Sequence, residues 1–165
     1  MASLPIKLVG EEVLRSKARD VDVFDAALAR LFDDMLDTMY AAPGIGLAGP
    51  QVGILKRVIV VDIGDGPIRM ANPKILEKSG EQLGLEGCLS IPGLYGDVLR
   101  HEKIVIKGQD ATGKTFRVSA EGLLSRCFQH EIDHLDGKLF TDVAVNLHEQ
   151  KPKTEEDEDD DDADA

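Results

Sequence analysis

From Phe24 to Met39 the apolar residues Phe24, Leu28, Leu31, Phe32, Met35, Leu36 and Met39 recur every three or four positions, with Asp33, Asp34 and Asp37 on the other side. This is the period of a helix that buries one face, and it predicts a helix over residues 23–41. Asp22 is its expected N-cap and Pro43-Gly44 its stop. Before it, Leu4, Ile6, Leu8, Val13 and Leu14 are scattered around Pro5 and Gly10 and read as an irregular packed arm, with a short helix-capable piece from Glu11 to Ala18. After it the period shortens to that of strands. Leu55 to Ile63 is a β-branched run closed by the turn Gly64-Asp65-Gly66-Pro67. Ile68 to Ala71 and Lys74 to Glu81 follow as short strands broken at Asn72-Pro73, and Val98 to Gln109 pairs with Lys114 to Ser119 across Asp110-Ala111-Thr112-Gly113. The helical period returns at Leu123, Leu124, Cys127, Phe128 and Leu135, in a segment opened at Ser119 or Glu121 and ended at Asp136-Gly137. Val143 to Leu147 reads as a further turn of helix. The order predicts an α+β fold of short, mostly antiparallel strands around the second helix, with the first helix packed outside.

Charge refines this picture at one end. The chain of 165 residues carries a formal net charge of −12, but nine of its acids lie in Glu155 to Ala165, and without them 22 acids face 19 bases. The folded part is therefore nearly balanced, and the expected division is a catalytic domain over residues 1–147 followed by an acidic tail over 148–165. That tail cannot bury enough apolar surface to offset its ordering entropy and is expected to be disordered, a solvating appendage that nucleic acid would repel. No apolar run has the length of a secretory leader or a membrane span. Two cysteines 39 residues apart do not make a disulfide framework. A reduced, cytoplasmic setting is expected, whether bacterial, organellar or viral-host, with no membrane partner.

Chemistry concentrates in Gln129-His130-Glu131-Ile132-Asp133-His134. Positions i and i+4 of a helix lie about 40° apart, so His130 and His134 can address one metal ion, while Glu131 projects beside it without ligating and can take a proton from water. The same histidines share the apolar side with Leu123 and Cys127, so packing alone is the competing explanation. The intervening glutamate favours metal. A third ligand is needed. Cys127, three residues before His130, reads as a core thiol lining the pocket, and His101 and His148 read as solvated. Cys88 stands between Gly87 and Leu89 in a turn-like stretch, where a thiolate meets little steric cover; a Cys-His-His shell leaves one position open for water. The stretch Gly44 to Gly53 holds four glycines and no charge, with Gln51 as its one polar side chain. It is either an ordinary turn or a backbone that approaches a ligand closely.

Gly44 to Gln51, Glu86 to Ser90 and His130 to His134 resemble, in order and spacing, the three signature motifs of the peptide deformylase family, and the resemblance runs from about Ile6 to Asp142. It implies metal ligation by Cys88, His130 and His134, acid–base work by Glu131, and polarisation of a formyl oxygen by Gln51 and the backbone N–H of Leu89. It also implies one divalent metal ion, commonly Fe(II), with Zn, Ni or Co able to occupy the site, and N-formyl-methionyl nascent peptides as substrate, met near the ribosomal exit tunnel. An extended peptide would pair with backbone at Gly44 to Gly46 and near Gly87, and its methionine would enter a pocket drawing on Ile45, the aliphatic stem of Glu86, Leu89 and Cys127. Two positions depart from the usual pattern. Gly49 replaces the second alanine of the first motif, which is expected to loosen the backbone before Gln51, and Tyr95 stands where many relatives carry arginine. The alternatives are another metallopeptidase of the HExxH type and a non-enzymatic, metal-stabilised domain associated with the ribosome. The first would need a ligand beyond Gly137 in a poor context, and the second has no use for Gln51 or Glu131.

Overall fold

The strand Val58–Val61 is buried at all four positions, and its alternation explains how the molecule is layered. Val58 and Val60 pack against one helix, Ala26–Ala41 (α1), through Leu28, Phe32, Met35, Leu36 and Met39. Ile59 and Val61 face the other way, into a cluster with Phe128 and Leu135 of the second helix, Gly122–Leu135 (α2). Because successive strand side chains point to opposite faces, a strand covered on both faces must be apolar throughout. The computed structural model describes residues 3–149, so the acidic run from Glu155 lies outside the described residues.

Eight strands are described: Gly46–Ala48 (β1), Val58–Val61 (β2), Ile68–Ser79 (β3), Gln82–Cys88 (β4), Ile91–Arg100 (β5), Lys103–Gln109 (β6), Thr115–Glu121 (β7) and Val145–Glu149 (β8). They form a five-stranded sheet in the order β1-β2-β3-β6-β7 and a three-stranded sheet in the order β4-β5-β8, with every pairing antiparallel. The expected α+β architecture holds, with α2 central and α1 on the outer face.

Several local expectations change. The cap of α1 is Asp25 rather than Asp22: its carboxylate accepts from the Leu28 N–H at 3.0 Å. Asn72-Pro73 does not break β3. The strand absorbs the proline with a register shift between Ala71 and Lys74, and Asn72 takes a left-handed conformation (φ 52°). Its side-chain amide then accepts from the Val21 N–H and donates to the Val21 carbonyl and to Gln109, so the irregularity is held in place by hydrogen bonds. The run from Val98 to Gln109 is two strands, because β5 ends at Arg100 and β6 begins at Lys103 in the other sheet. Val145 to Glu149 forms β8 on the edge of β5 instead of a helical turn.

Candidate metal centre and cleft

α2 carries His130 and His134 on its buried face, 8% and 1% exposed. Their Nε2 atoms lie 3.2 Å apart, and the Cys88 Sγ lies 3.2 Å from the His134 Nε2. All three donor atoms fall within 4.8 Å of one another. Bond lengths of about 2.0–2.3 Å to a tetrahedral ion place neighbouring ligand atoms roughly 3.3–3.6 Å apart, so the spacing suits a single ion. The electrostatics agree. Burial, reinforced by the nearby His130, pushes the His134 pKa well below its ordinary value and keeps the ring in the neutral form that ligates. His130 is drawn the other way: burial disfavours its charge, but Glu131, Cys88 and Glu86 raise its pKa well above the imidazole range. Such an electronegative pocket equally attracts a divalent cation. His101 and His148 lie outside this cluster, and His148 sits in β8 with its ring 6.4 Å from that of Tyr95.

Glu131 is 3% exposed, and its Oε1 has no hydrogen-bond partner. Burial pushes its pKa up to about 7, against the opposing charge of His130. The carboxylate abuts Gly46, where an added Cβ would meet Glu131 Oε2 and lie 2.8 Å from the Cys127 Sγ. The glycine of β1 is therefore needed for close approach. Cys127 is a buried thiol, its pKa raised by burial and by Glu131, with its Sγ 3.5 Å from the Ile45 carbonyl.

Gln51 lies in a 3-10 turn, Gly49–Val52, that follows β1 directly. Its Oε1 accepts from the Ala48 N–H at 2.9 Å, which fixes the amide so that Nε2 turns to Ser90 Oγ at 3.2 Å and Cys88 Sγ at 3.5 Å. Gly49 tightens this turn rather than loosening it. A Cβ there would stand 2.7 Å from the carbonyl oxygens of both Ile54 and Lys56, so no side chain fits.

Glu86 departs most from expectation. It lines the cleft, but its carboxylate turns inward and accepts from Arg100 Nε and Nη2, each at 2.9 Å, and from Arg126 Nη1 at 2.6 Å, while its Oε1 lies 2.8 Å from the His130 Nδ1. Burial alone would raise its pKa; hydrogen bonds from Arg100 and His130 reverse that and hold it at about 2. Arg100 is held in turn by Asp133, 2.6 Å away. A carboxylate on the far nitrogen of a ligating histidine orients the ring and leaves Nε2 for the metal. Sequence reasoning missed Arg100, Arg126, Asp133 and the buried Ser90. One signal was available, since Arg126, His130 and Asp133 fall at i, i+4 and i+7 on one helix, a charged stripe that burial tolerates only if paired.

These groups floor a cleft of about 470 Å³ whose walls include Gly44, Ile45, Gly46, Glu86, Gly87 and Cys127, with Leu89, Leu85, Leu123 and Tyr95. β1 and β4, each at an edge of its sheet, both contribute to the lining. The Tyr95 ring packs on Gly87, where a Cβ would lie 2.6 Å from it.

A Cys-His-His cluster, its histidines buried and its cysteine half-buried, with a carboxylate at its side and opening into a peptide-sized cleft, defines a metal-dependent hydrolase of α+β architecture. The profile of the family described as polypeptide deformylase matches residues 3–150. The peptide deformylase of Caldicellulosiruptor bescii is 52% identical over 145 residues, covering 88% of this chain and 87% of the relative. Peptide deformylase 1 of Bacillus subtilis is 56% identical over 132 residues, covering 79% and 82%. Among solved structures, a peptide deformylase from Legionella pneumophila superposes with a TM-score of 0.85 at 46% identity, covering 88% of each chain. One from Synechococcus elongatus in complex with actinonin gives 0.85 at 46% identity, covering 88% of this chain and 81% of that one. The chain belongs to the peptide deformylase family. Its activity is metal-dependent removal of the N-formyl group from the terminal formyl-methionine of new polypeptides, with release of formate.

Proposed function

We propose that Cys88, His130 and His134 hold the metal, that Glu131 moves the protons, and that Gln51 and the Leu89 N–H polarise the formyl oxygen. The observation that supports this reading is a set of three ligand atoms within 4.8 Å of one another, with Gln51 Nε2 3.5 Å from the Cys88 Sγ and the unpartnered Glu131 carboxylate lining the same cleft. A bound divalent cation there supplies Lewis-acid polarisation and lowers the pKa of water toward neutrality. The remaining steps belong to the chain. The formyl-methionine lies in the cleft with its side chain against Ile45, Leu89, Cys127 and the stem of Glu86, while its backbone pairs with the Gly44 to Gly46 segment and with Gly87. Glu131 accepts a proton from the attacking water; its pKa of about 7 suits it to both accept and return one near neutral pH. As the formyl carbon becomes tetrahedral, negative charge on its oxygen is met by Gln51 Nε2 and the Leu89 N–H. Glu131 then protonates the leaving nitrogen, the C–N bond breaks, and formate and a free methionyl amine depart.

Fe(II) is the native metal in this reading, and Zn(II), Ni(II) or Co(II) substitute, since a thiolate and two imidazoles accept all four. The enzyme works in the cytoplasm, on peptides leaving the ribosome near its exit tunnel. The catalytic domain, expected over residues 1–147, extends to Glu149, because His148 and Glu149 pair with Tyr95 and Leu94 in the sheet, and the acidic run from Glu155 is a solvating appendage. Among the described residues no helix is long and apolar enough to cross a membrane. The test is release of formate from a formyl-Met tripeptide by protein purified anaerobically with Fe(II), set against cleavage of the same peptide without its formyl group. Formate from the first and no cleavage of the second is expected. Cleavage of the unformylated peptide would instead indicate a general peptidase.

A further inference from the structure

The N-terminal arm carries no catalytic side chain, yet its backbone touches all three segments that build the site. The Lys7 N–H donates to the Gln51 carbonyl at 2.7 Å, the Val9 N–H to the Ser90 carbonyl at 2.8 Å, and the Ala18 N–H to the Leu135 carbonyl, at the end of α2, at 2.8 Å. The arm is itself anchored. The Leu4 N–H donates to Thr38 Oγ1 on α1 at 2.8 Å, Leu14 is 1% exposed in a cluster with Ile91, Val98, Leu139 and Phe140, and Arg15 grips both oxygens of Asp142 at 2.6 and 3.0 Å.

The placement of the first two bonds matters most. The Gln51 turn follows a strand of the five-stranded sheet, whereas Cys88-Leu89-Ser90 joins β4 to β5 of the other sheet, so no strand ladder fixes one segment against the other. Between them the side chains offer contacts from Gln51 Nε2 to Ser90 Oγ and Cys88 Sγ, at 3.2 and 3.5 Å. Lys7 and Val9 are two residues apart, a span of at most about 7 Å, and a piece that short has little freedom to let its two acceptors slide. We propose that residues 7–9 are a backbone strap that sets the separation of the two formyl-polarising donors, Gln51 Nε2 and the Leu89 N–H. Lys7 and Val9 are then positioning residues that act through their N–H groups, not their side chains. The inference rests on the assignment of Gln51 and Leu89 given above.

The test is removal of single N–H donors by amide-to-ester replacement at residue 7, 9 or 16 of the full chain, each protein being metal-loaded and compared with Gln51→Ala. Residue 16 is the control, because the Ser16 N–H donates to Val13 within the arm at 3.3 Å and reaches no part of the site. Esters at residues 7 and 9 are expected to lower kcat roughly tenfold with KM changed by less than about twofold, the signature of an interaction felt in the transition state. Metal content is expected to stay at one equivalent. The ester at 16 is expected to lower the melting temperature to a similar degree while leaving kcat unchanged. Should the protein with an ester at 9 fail to fold, the ester at 7 decides. Unchanged kcat at 7 and 9, with Gln51→Ala crippled, overturns the strap alone, as does an equal fall in kcat at 16. Metal lost from the ester at 9 also overturns it, since the arm would then be holding Cys88 rather than the donor pair. A Gln51→Ala enzyme with full kcat removes the assignment on which the strap depends.

Discussion

Replacing Glu86 by glutamine removes one charge and changes little in shape, yet it is expected to weaken both the fold and the metal site. The Oε2 of Glu86 faces Arg100 Nε and Arg126 Nη1, and its Oε1 faces Arg100 Nη2 and the His130 Nδ1. Whichever way the glutamine amide is turned, an NH2 group confronts donors at one of these positions. The side chains of both arginines are 7% exposed, and Arg126 would keep only the carbonyls and amide around it. Removing one partner of a buried ion pair costs about 3–5 kcal/mol. Linkage gives a similar size. The carboxyl is held at about 2 against an ordinary 4.5, and two to three pKa units correspond to about 3 kcal/mol. Because the folded-state value is depressed, this stability is fully present above the unfolded pKa and is lost as pH falls from about 4.5 toward 2. Urea unfolding at pH 7 and at pH 3 measures both quantities: the wild type should lose stability between the two, and Glu86→Gln should start lower and change less. Loss of the carboxylate behind His130 should also weaken metal binding by about 10- to 100-fold, read by competition with a chelator. A variant within about 1 kcal/mol of wild type, with unaltered metal affinity, would refute the reading of Glu86 as the buried anchor of the site.

Three further outcomes are expected. Cys88→Ala should lose its metal while Cys127→Ala keeps it, measured by metal content after gel filtration; equal loss in both would reverse the choice of ligand. Glu131→Ala should retain metal and lose about 10²-fold or more in kcat for formate release, and undiminished turnover would remove Glu131 from proton transfer. Gly49→Ala should destabilise by about 1–3 kcal/mol in urea, because its Cβ would press on the carbonyls of Ile54 and Lys56; a neutral effect would mean that the turn before Gln51 yields easily.

Local pattern decided the features that depend on neighbours along the chain. The i, i+4 histidines and the glutamate between them share a helix whatever it packs against, and the apolar period of α1 fixed its buried face. Cys88 was legible from its glycine-flanked, turn-like setting and from its motif, and the role expected of Gln51 from its motif alone; nothing in spacing alone brings residue 88 to residue 134, 46 positions later, where they meet at 3.2 Å. Tertiary structure decided the rest, for a common reason: a polar group's orientation is set by where its partners lie, and those partners are remote in sequence. Glu86 read as an aliphatic wall until Arg100, Arg126 and His130 were seen to draw its carboxylate inward. Asn72-Pro73 read as a break until bonds to Val21 and Gln109 held β3 continuous through it. β8 read as a helical turn because five exposed residues carry no decisive period, and the free edge of β5 made them a strand. Gly49 read as slack because an empty Cβ position looks permissive along the chain. Only the carbonyls of Ile54 and Lys56, folded over it at van der Waals limits, reveal that the position is full.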